Sequence, residues 1–354
     1  EDLSFRPRFQ DLCGFTEAEL RAALALVAVT AEQVDEALGL MRAFYNGYRF
    51  TPDQVDGVYN PTLALYFLKR LVEDATYPER LLDHNLAMDR NRIQYVAGLP
   101  HGETLITRAL NVEKPLAVAQ LYDRFSVEDM LTVPKDASFM ASLLYYFGVL
   151  TLNGHNVWGE MRLTIPNQVV RQLYVERLRE RLLPDYEDQE QRQLICRAFY
   201  TTGELAPLCR LVEQRLGILD NRDLRWANEL VVKMAFLALL FNDAFYVMDS
   251  EPALGRGYAD LSLIVRPDKR QHRLLDHLLE FKALPWKAMG LTGEAGQALS
   301  QEALMALPAV QTALAEAQQQ LARYRQALEE RYGERLRLHT HAVVCLGLER
   351  LIWA

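Results

Sequence analysis

The sequence is poor in the residues that staple a chain together or cradle a nucleotide. Across 354 residues there are four cysteines, Cys13, Cys196, Cys209 and Cys345. None stands in a Cys-x-x-Cys spacing, and no histidines pair with them at zinc-finger intervals. That pattern argues against a structural zinc or disulfide framework and points to a reducing compartment. No glycine is followed by lysine anywhere in the chain, so the phosphate-binding loop of nucleotide hydrolases is missing. ATP hydrolysis within this chain is therefore not expected. Long apolar runs are missing too. The longest, Leu230 to Phe241, is interrupted by Lys233 and is too short to span a bilayer. No stretch reads as a signal peptide, and there is no repeat of solenoid period. Positive charge is in deficit: the net charge is -8, so attraction to nucleic acid has to come from local patches.

What remains is an ordinary globular mix, half apolar and about a quarter charged, long enough for two or three domains. Residues 1 to about 118 read as mainly helical. "FTEAELRAALALV" opens with Thr16 as an N-cap and acidic residues in the first turn. Asn46-Gly47 is a turn dipeptide flanked by Tyr45, Tyr48 and Phe50, aromatics expected to pack that turn against neighbouring helices. Asn60-Pro61 suits a helix start. From 119 to 183 the pattern changes to helix, hairpin and helix, the order of a winged-helix-like module. Its "VEDMLTVPKDASF" stretch is not basic, so a packing role is expected there rather than DNA reading. Residues 184–218 read as a helical linker. From 219 to 354 a long helix precedes strands near 245–249, 259–265 and 274–283. A Gly-rich insertion, a helix and further strands follow, an α/β arrangement around a central mixed sheet.

The chemistry concentrates in "GRGYADLSLIVRPDKRQHRLLDHLLEFKA", residues 255–283. Strand alternation puts Glu280 and Lys282 on one face and Leu279, Phe281 and Ala283 on the other. The apolar set is expected to face a helix layer and the charged pair to converge elsewhere. If the strand of Asp260 and the strand of Glu280 are antiparallel neighbours, the two carboxylates meet. Such a pair repels unless a cation lies between them. Hard oxygen ligands suit magnesium or manganese. An amine two residues on, Lys282, can orient a water and stabilise charge on a phosphate oxygen. The competing reading is a surface salt bridge worth about 0–1 kcal/mol. Between residues 255 and 290, seven basic residues face four acidic ones, a candidate phosphate-facing patch in which Arg256 is best placed. His272 and His277 fall on opposite faces of their strand. His339 and His341 could share a side, but without a third ligand nearby in sequence they read as structural or surface residues.

"GRGYADLSLIV" followed by "LLEFKA" resembles the PD-(D/E)XK nuclease superfamily. More narrowly, the chain is similar to bacterial proteins that join an AAA-ATPase-like domain to a C-terminal nuclease domain of that superfamily. The segments "LCGFTEAEL", "FYNGYRF" and "VYNPTLALYFL" resemble the post-ATPase part of those proteins. The resemblance implies that Asp260 and Glu280 are metal ligands and Lys282 is the catalytic lysine. It implies accessory roles for Glu229 on the first core helix and for Gln320 with Tyr324 on a later one, with Gln318 as the alternative glutamine. It also implies a restriction-endonuclease-like domain over 219–354 and an ATP-binding region upstream of residue 1. That agrees with a chain that opens as if in the middle of a protein.

The expectation is thus a multidomain α and α/β protein of the cytoplasm, without membrane contact. It would be a nuclease dependent on Mg2+ or Mn2+ that cleaves nucleic acid, DNA favoured. ATP would enter only through a region outside this chain, which could also mediate self-association. The alternative is a catalytically silent module that binds nucleic acid or protein and regulates an associated ATPase.

Overall fold

A computed structural model describes residues 5–81, 105, 108–110, 116–122, 125, 134, 136–182, 189–216, 228–250, 253–254, 257–258, 260–347 and 349–354. Contacts divide the chain into two units, Glu1–Arg177 and Leu178–Ala354.

In the first unit, helices α1 (Glu17–Val27), α2 (Ala31–Tyr45) and α3 (Pro61–Asp74) bury one stripe each, including Leu20 and Leu24, Leu38 and Met41, and Leu63 and Phe67. Their starts follow local chemistry. Thr16 and Glu19 form a reciprocal capping box, and the Asn60 side chain accepts from the backbone N–H groups of Thr62 and Leu63. The Asn46-Gly47 turn packs on the entry to a later helix. Gly47 has a φ of +104°, and a Cβ there would lie 2.1 Å from the Pro166 carbonyl oxygen, so only glycine fits. Asn167 Nδ2 donates to the Asn46 carbonyl beside it.

Strand β1 (Leu116–Val118), helix α4 (Ala137–Tyr146), strands β2 (Thr151–His155) and β3 (Met161–Thr164) and helix α5 (Gln168–Leu182) follow. The helix–hairpin–helix order is the one read from the sequence. The hairpin is widened, however, because β1 pairs with β3 to give the order β1-β3-β2. The small sheet therefore joins residues on either side of position 118.

The second unit is mixed α/β. Helices α6 (Gln189–Thr202), α7 (Ala206–Leu216) and α8 (Asn228–Leu240) precede strands β4 (Tyr246–Ser250), β5 (Ala253–Leu254), β6 (Gly257–Tyr258), β7 (Leu261–Val265) and β8 (Asp276–Leu284). Short helices α9 (Gly293–Gln297) and α10 (Gln301–Met305) lead to the long α11 (Pro308–Tyr332), then β9 (Leu338–Leu346) and β10 (Arg350–Trp353). The five-stranded sheet runs β10-β9-β8-β7-β4, with β8 in the middle. β8 pairs antiparallel with β7 and parallel with β9. A parallel return needs a crossover, and α11 supplies it. Helices α6 and α7, within the stretch read as a linker, pack into this unit. The Tyr200 hydroxyl donates to the Leu240 carbonyl, and the Glu213 carboxylate accepts from Leu351 N–H.

Both faces of β8 are covered. On one, Leu278 joins Ala342 and Val344 beneath the α11 residues Val310, Ala317, Leu321 and Tyr324. On the other, Phe281 meets Phe236 of α8 with ring centroids 5.1 Å apart. Glu280 and Lys282 alternate with Phe281, so they share the α11 face with Leu278. The apolar set thus faces a helix, α8, and the charged pair turns to the other face, which α11 also covers. A central strand in this sheet has no uncovered face. Among the described residues, no helix is long and apolar enough to cross a membrane.

Candidate functional site

The register brings the carboxylates together. Leu261 on β7 stands opposite Leu279 on β8, so Asp260, one residue before β7, falls across from Glu280. The contact is fixed by backbone: Phe281 N–H donates to Asp260 Oδ2 at 2.7 Å. Both acids are buried, with Asp260 6% and Glu280 2% exposed, so the surface salt-bridge reading does not apply. Lys282 Nζ donates to Glu280 Oε1 at 2.9 Å. Glu280 Oε2 is buried with no hydrogen-bond partner. An orphaned carboxylate oxygen in such a place is costly, and its isolation calls for a reason.

A fourth group was not foreseen. Lys233, the residue that interrupts the apolar run of α8, is buried and places Nζ 2.8 Å from Asp260 Oδ1. Two ammonium groups therefore face two carboxylates. Its only trace in the sequence was a cation that interrupts the apolar run from Leu230 to Phe241.

The electrostatics follow from burial. Desolvation pushes Glu280 up to about 7, the Asp260 charge adds to the rise, and Lys282 opposes it. Burial pulls the Lys282 amine down. The hydrogen bond and charge of Glu280, with Asp260 and Glu229 behind them, more than offset that and hold it above its usual range. Tyr324 is also raised, by burial first and by the Glu280 charge second.

The accessory candidates divide. Tyr324 is buried and lies within the electrostatic reach of Glu280, Asp260 and Lys282. Glu229, in the first turn of α8 one turn before Lys233, reaches Lys282 through its charge. Gln320 is half-buried one turn before Tyr324, whereas Gln318 is exposed. Arg256 lies outside the described residues. The phosphate-facing patch needs correction. Arg266 is fully buried, clasping Asp268 and the Asp243 carbonyl. Lys269 pairs with Asp268, and Arg270 with Asp276. These cations hold the β7–β8 connection together, and a count of charges along the sequence could not show it.

His341 is buried and His339 exposed, within the expected structural or surface roles, but with His277 they form a cluster that spacing did not show. The parallel register sets His277 opposite His339, and His277 Nδ1 lies 3.1 Å from His341 Nε2. Phe199 of α6 stacks on His277 at 4.1 Å between centroids. Burial drives His277 down to about 2 and His341 to about 4, with neighbouring imidazoles adding to both. Sequence spacing missed this because the third ring arrives from a different strand.

Among the described residues, no set of three or more His, Cys, Asp or Glu side chains is arranged to hold a metal ion. Magnesium, however, commonly takes one or two carboxylates and completes its shell with water and substrate phosphate. Asp260 and Glu280 fit that donor set: both are hard oxygen ligands, and Glu280 Oε2 is buried without a partner. Comparisons with protein-family models, curated proteins and solved structures found no match to this chain.

Proposed function

We propose that the second unit is a metal-dependent nuclease of restriction-endonuclease-like fold, acting on nucleic acid with DNA favoured. The observation that carries this reading is the orphaned Glu280 Oε2 beside Asp260, with Lys282 held on the same carboxylate. Asp260 and Glu280 would hold Mg2+ or Mn2+. When bound, the ion would supply Lewis-acid stabilisation of charge on a phosphate oxygen. The chain's own residues do the rest. Phe281 N–H fixes the Asp260 carboxylate. Lys282, kept protonated by its neighbours, can donate to a phosphate oxygen or to the attacking water. Glu229 adds its charge around Lys282, and Tyr324 lies within the electrostatic reach of Glu280. In the first unit, α4, the β2–β3 hairpin and α5 are read as a winged-helix-like module. The whole is read as part of a cytoplasmic protein with an ATP-binding region elsewhere in its sequence.

The test is cleavage of plasmid and single-stranded DNA with Mg2+ present. Wild type should cleave, and Glu280→Ala and Lys282→Ala should each lose about 10²-fold or more in rate. Equal background from wild type and Glu280→Ala would refute the enzyme reading.

One observation favours the second reading, a silent binding module. Lys233 and Lys282 already sit as counter-ions on the two acids, so Asp260 and Glu280 are each paired without a metal. Salt-dependent binding of nucleic acid, unaffected by Mg2+ and without cleavage, would select it.

A further inference from the structure

We infer that Lys233 is a built-in counter-ion that keeps the free site from loading with a divalent cation, so that cation and phosphodiester bind together. The inference rests on the proposed nuclease reading and adds a residue that this reading does not use. It starts from how the four carboxylate oxygens are committed. Asp260 Oδ1 takes the Lys233 ammonium at 2.8 Å, and Oδ2 takes Phe281 N–H at 2.7 Å. Glu280 Oε1 takes Lys282 at 2.9 Å, which leaves Oε2 alone without a hydrogen bond.

A cation entering beside Asp260 therefore meets an ammonium already seated on the same carboxylate. Lys233 is not a surface lysine that can swing into water: its side chain is 3% exposed, and it projects from the apolar helix α8. Two charges that cannot separate or hydrate interact strongly, because the local dielectric is low. The pair of acids alone would attract a divalent ion. With Lys233 and Lys282 in place, each of the two acids already carries a counter-ion that the cation must compete with. A phosphodiester brings further negative charge and an oxygen ligand, so each partner should strengthen the other's binding by the same factor. Lys233 is a positioning and selectivity residue in this scheme, not a catalytic one.

The test titrates Mn2+ into the full chain by calorimetry, without nucleic acid and then with a saturating, uncleavable phosphorothioate single-stranded oligonucleotide. Wild type and Lys233→Arg, which keep the charge, should bind Mn2+ weakly alone and about tenfold or more tighter with the oligonucleotide. Lys233→Met, near in length, and Lys233→Gln, which keeps a donor for Asp260 Oδ1, should bind Mn2+ about tenfold or more tighter without it. Folding of each variant is checked by circular dichroism. The wild-type oligonucleotide arm stands even where a variant misfolds: no tightening there overturns the inference. Unchanged Mn2+ affinity in folded Lys233→Met and Lys233→Gln, with binding lost in Asp260→Asn, overturns it and leaves the cation site intact. No Mn2+ binding by any variant, with or without oligonucleotide, overturns the nuclease reading itself.

Discussion

Strand β8 carries two buried carboxylates on one face, Asp276 at its first position and Glu280 four residues later, and their surroundings differ. Asp276 has both oxygens engaged: Oδ1 accepts from Val265 N–H, and Oδ2 from Arg270 Nη1 and Arg337 N–H. It ties β7, the β7–β8 connection and the start of β9 together. Glu280 has one ammonium on one oxygen and no well-formed hydrogen bond on the other, with the Asp260 backbone as a donor acting on the carboxylate. Equal burial and equal chemistry thus give one carboxylate with every bond made and one left incomplete. A buried charge that serves only stability is completed by its neighbours, because the uncompensated alternative is so costly. The incomplete one is where a ligand is expected.

The contrast is broken most severely by removing the completed carboxylate. Asp276→Ala strips the partner from two backbone N–H groups and a buried-side arginine, and should cost about 3–5 kcal/mol in urea unfolding. A loss below about 1 kcal/mol would mean that this network carries little of the fold.

The opposite face of the same strand offers the next largest effect. His277 and His341 are held neutral, at about 2 and about 4, first by burial; His341 and the exposed His339 add to the depression of His277, and His339 to that of His341. Unfolded histidine takes its proton near pH 6.5. The folded groups are depressed, so the unfolded chain binds more protons as the pH falls below about 6.5. Stability is full above that value and falls as the pH drops towards 4, by about 2–3 kcal/mol if the cluster responds as a unit. His341→Gln should flatten this slope, as followed by unfolding at pH 7, 5.5 and 4.5. An unchanged slope would place the acid sensitivity elsewhere.

The smallest effect sharpens the difference between the two carboxylates. Glu280 is raised, so between about 4.5 and about 7 the folded state keeps a proton that the unfolded state has released. Its contribution therefore worsens as the pH rises through that window. With metal chelated, Glu280→Gln should gain about 2 kcal/mol at pH 8 and nothing at pH 4. A loss at pH 8 would show that the carboxylate is as well satisfied as Asp276.

Much of the frame was legible. Thr16 and Asn60 start helices through side chains that bond nearby backbone, a local effect that sequence displays directly. Strands β7 and β8 fall where alternation and the "RPDKRQ" turn put them, and their antiparallel register brings Asp260 opposite Glu280. What was hidden depends on contacts distant in sequence. The reach of Lys233 to Asp260 is set by how α8 packs on the sheet, and a lone lysine in an apolar helix carries no address. His277 and His341 meet only because β9 returns parallel to β8 after the α11 crossover. Arg266 looks like a surface cation until its burial is known. Local chemistry gave the elements and their caps, while the partners of buried charges emerged only from tertiary packing.

The central claim is that Asp260 and Glu280 together hold a divalent cation. Crystals of the protein soaked in Mn2+ with an uncleavable oligonucleotide, examined by anomalous diffraction, test it most directly. An anomalous peak is expected within coordination distance of Asp260 and of Glu280 Oε2. Ordered side chains with no peak between them, and Lys233 and Lys282 still seated on the two acids, would contradict it.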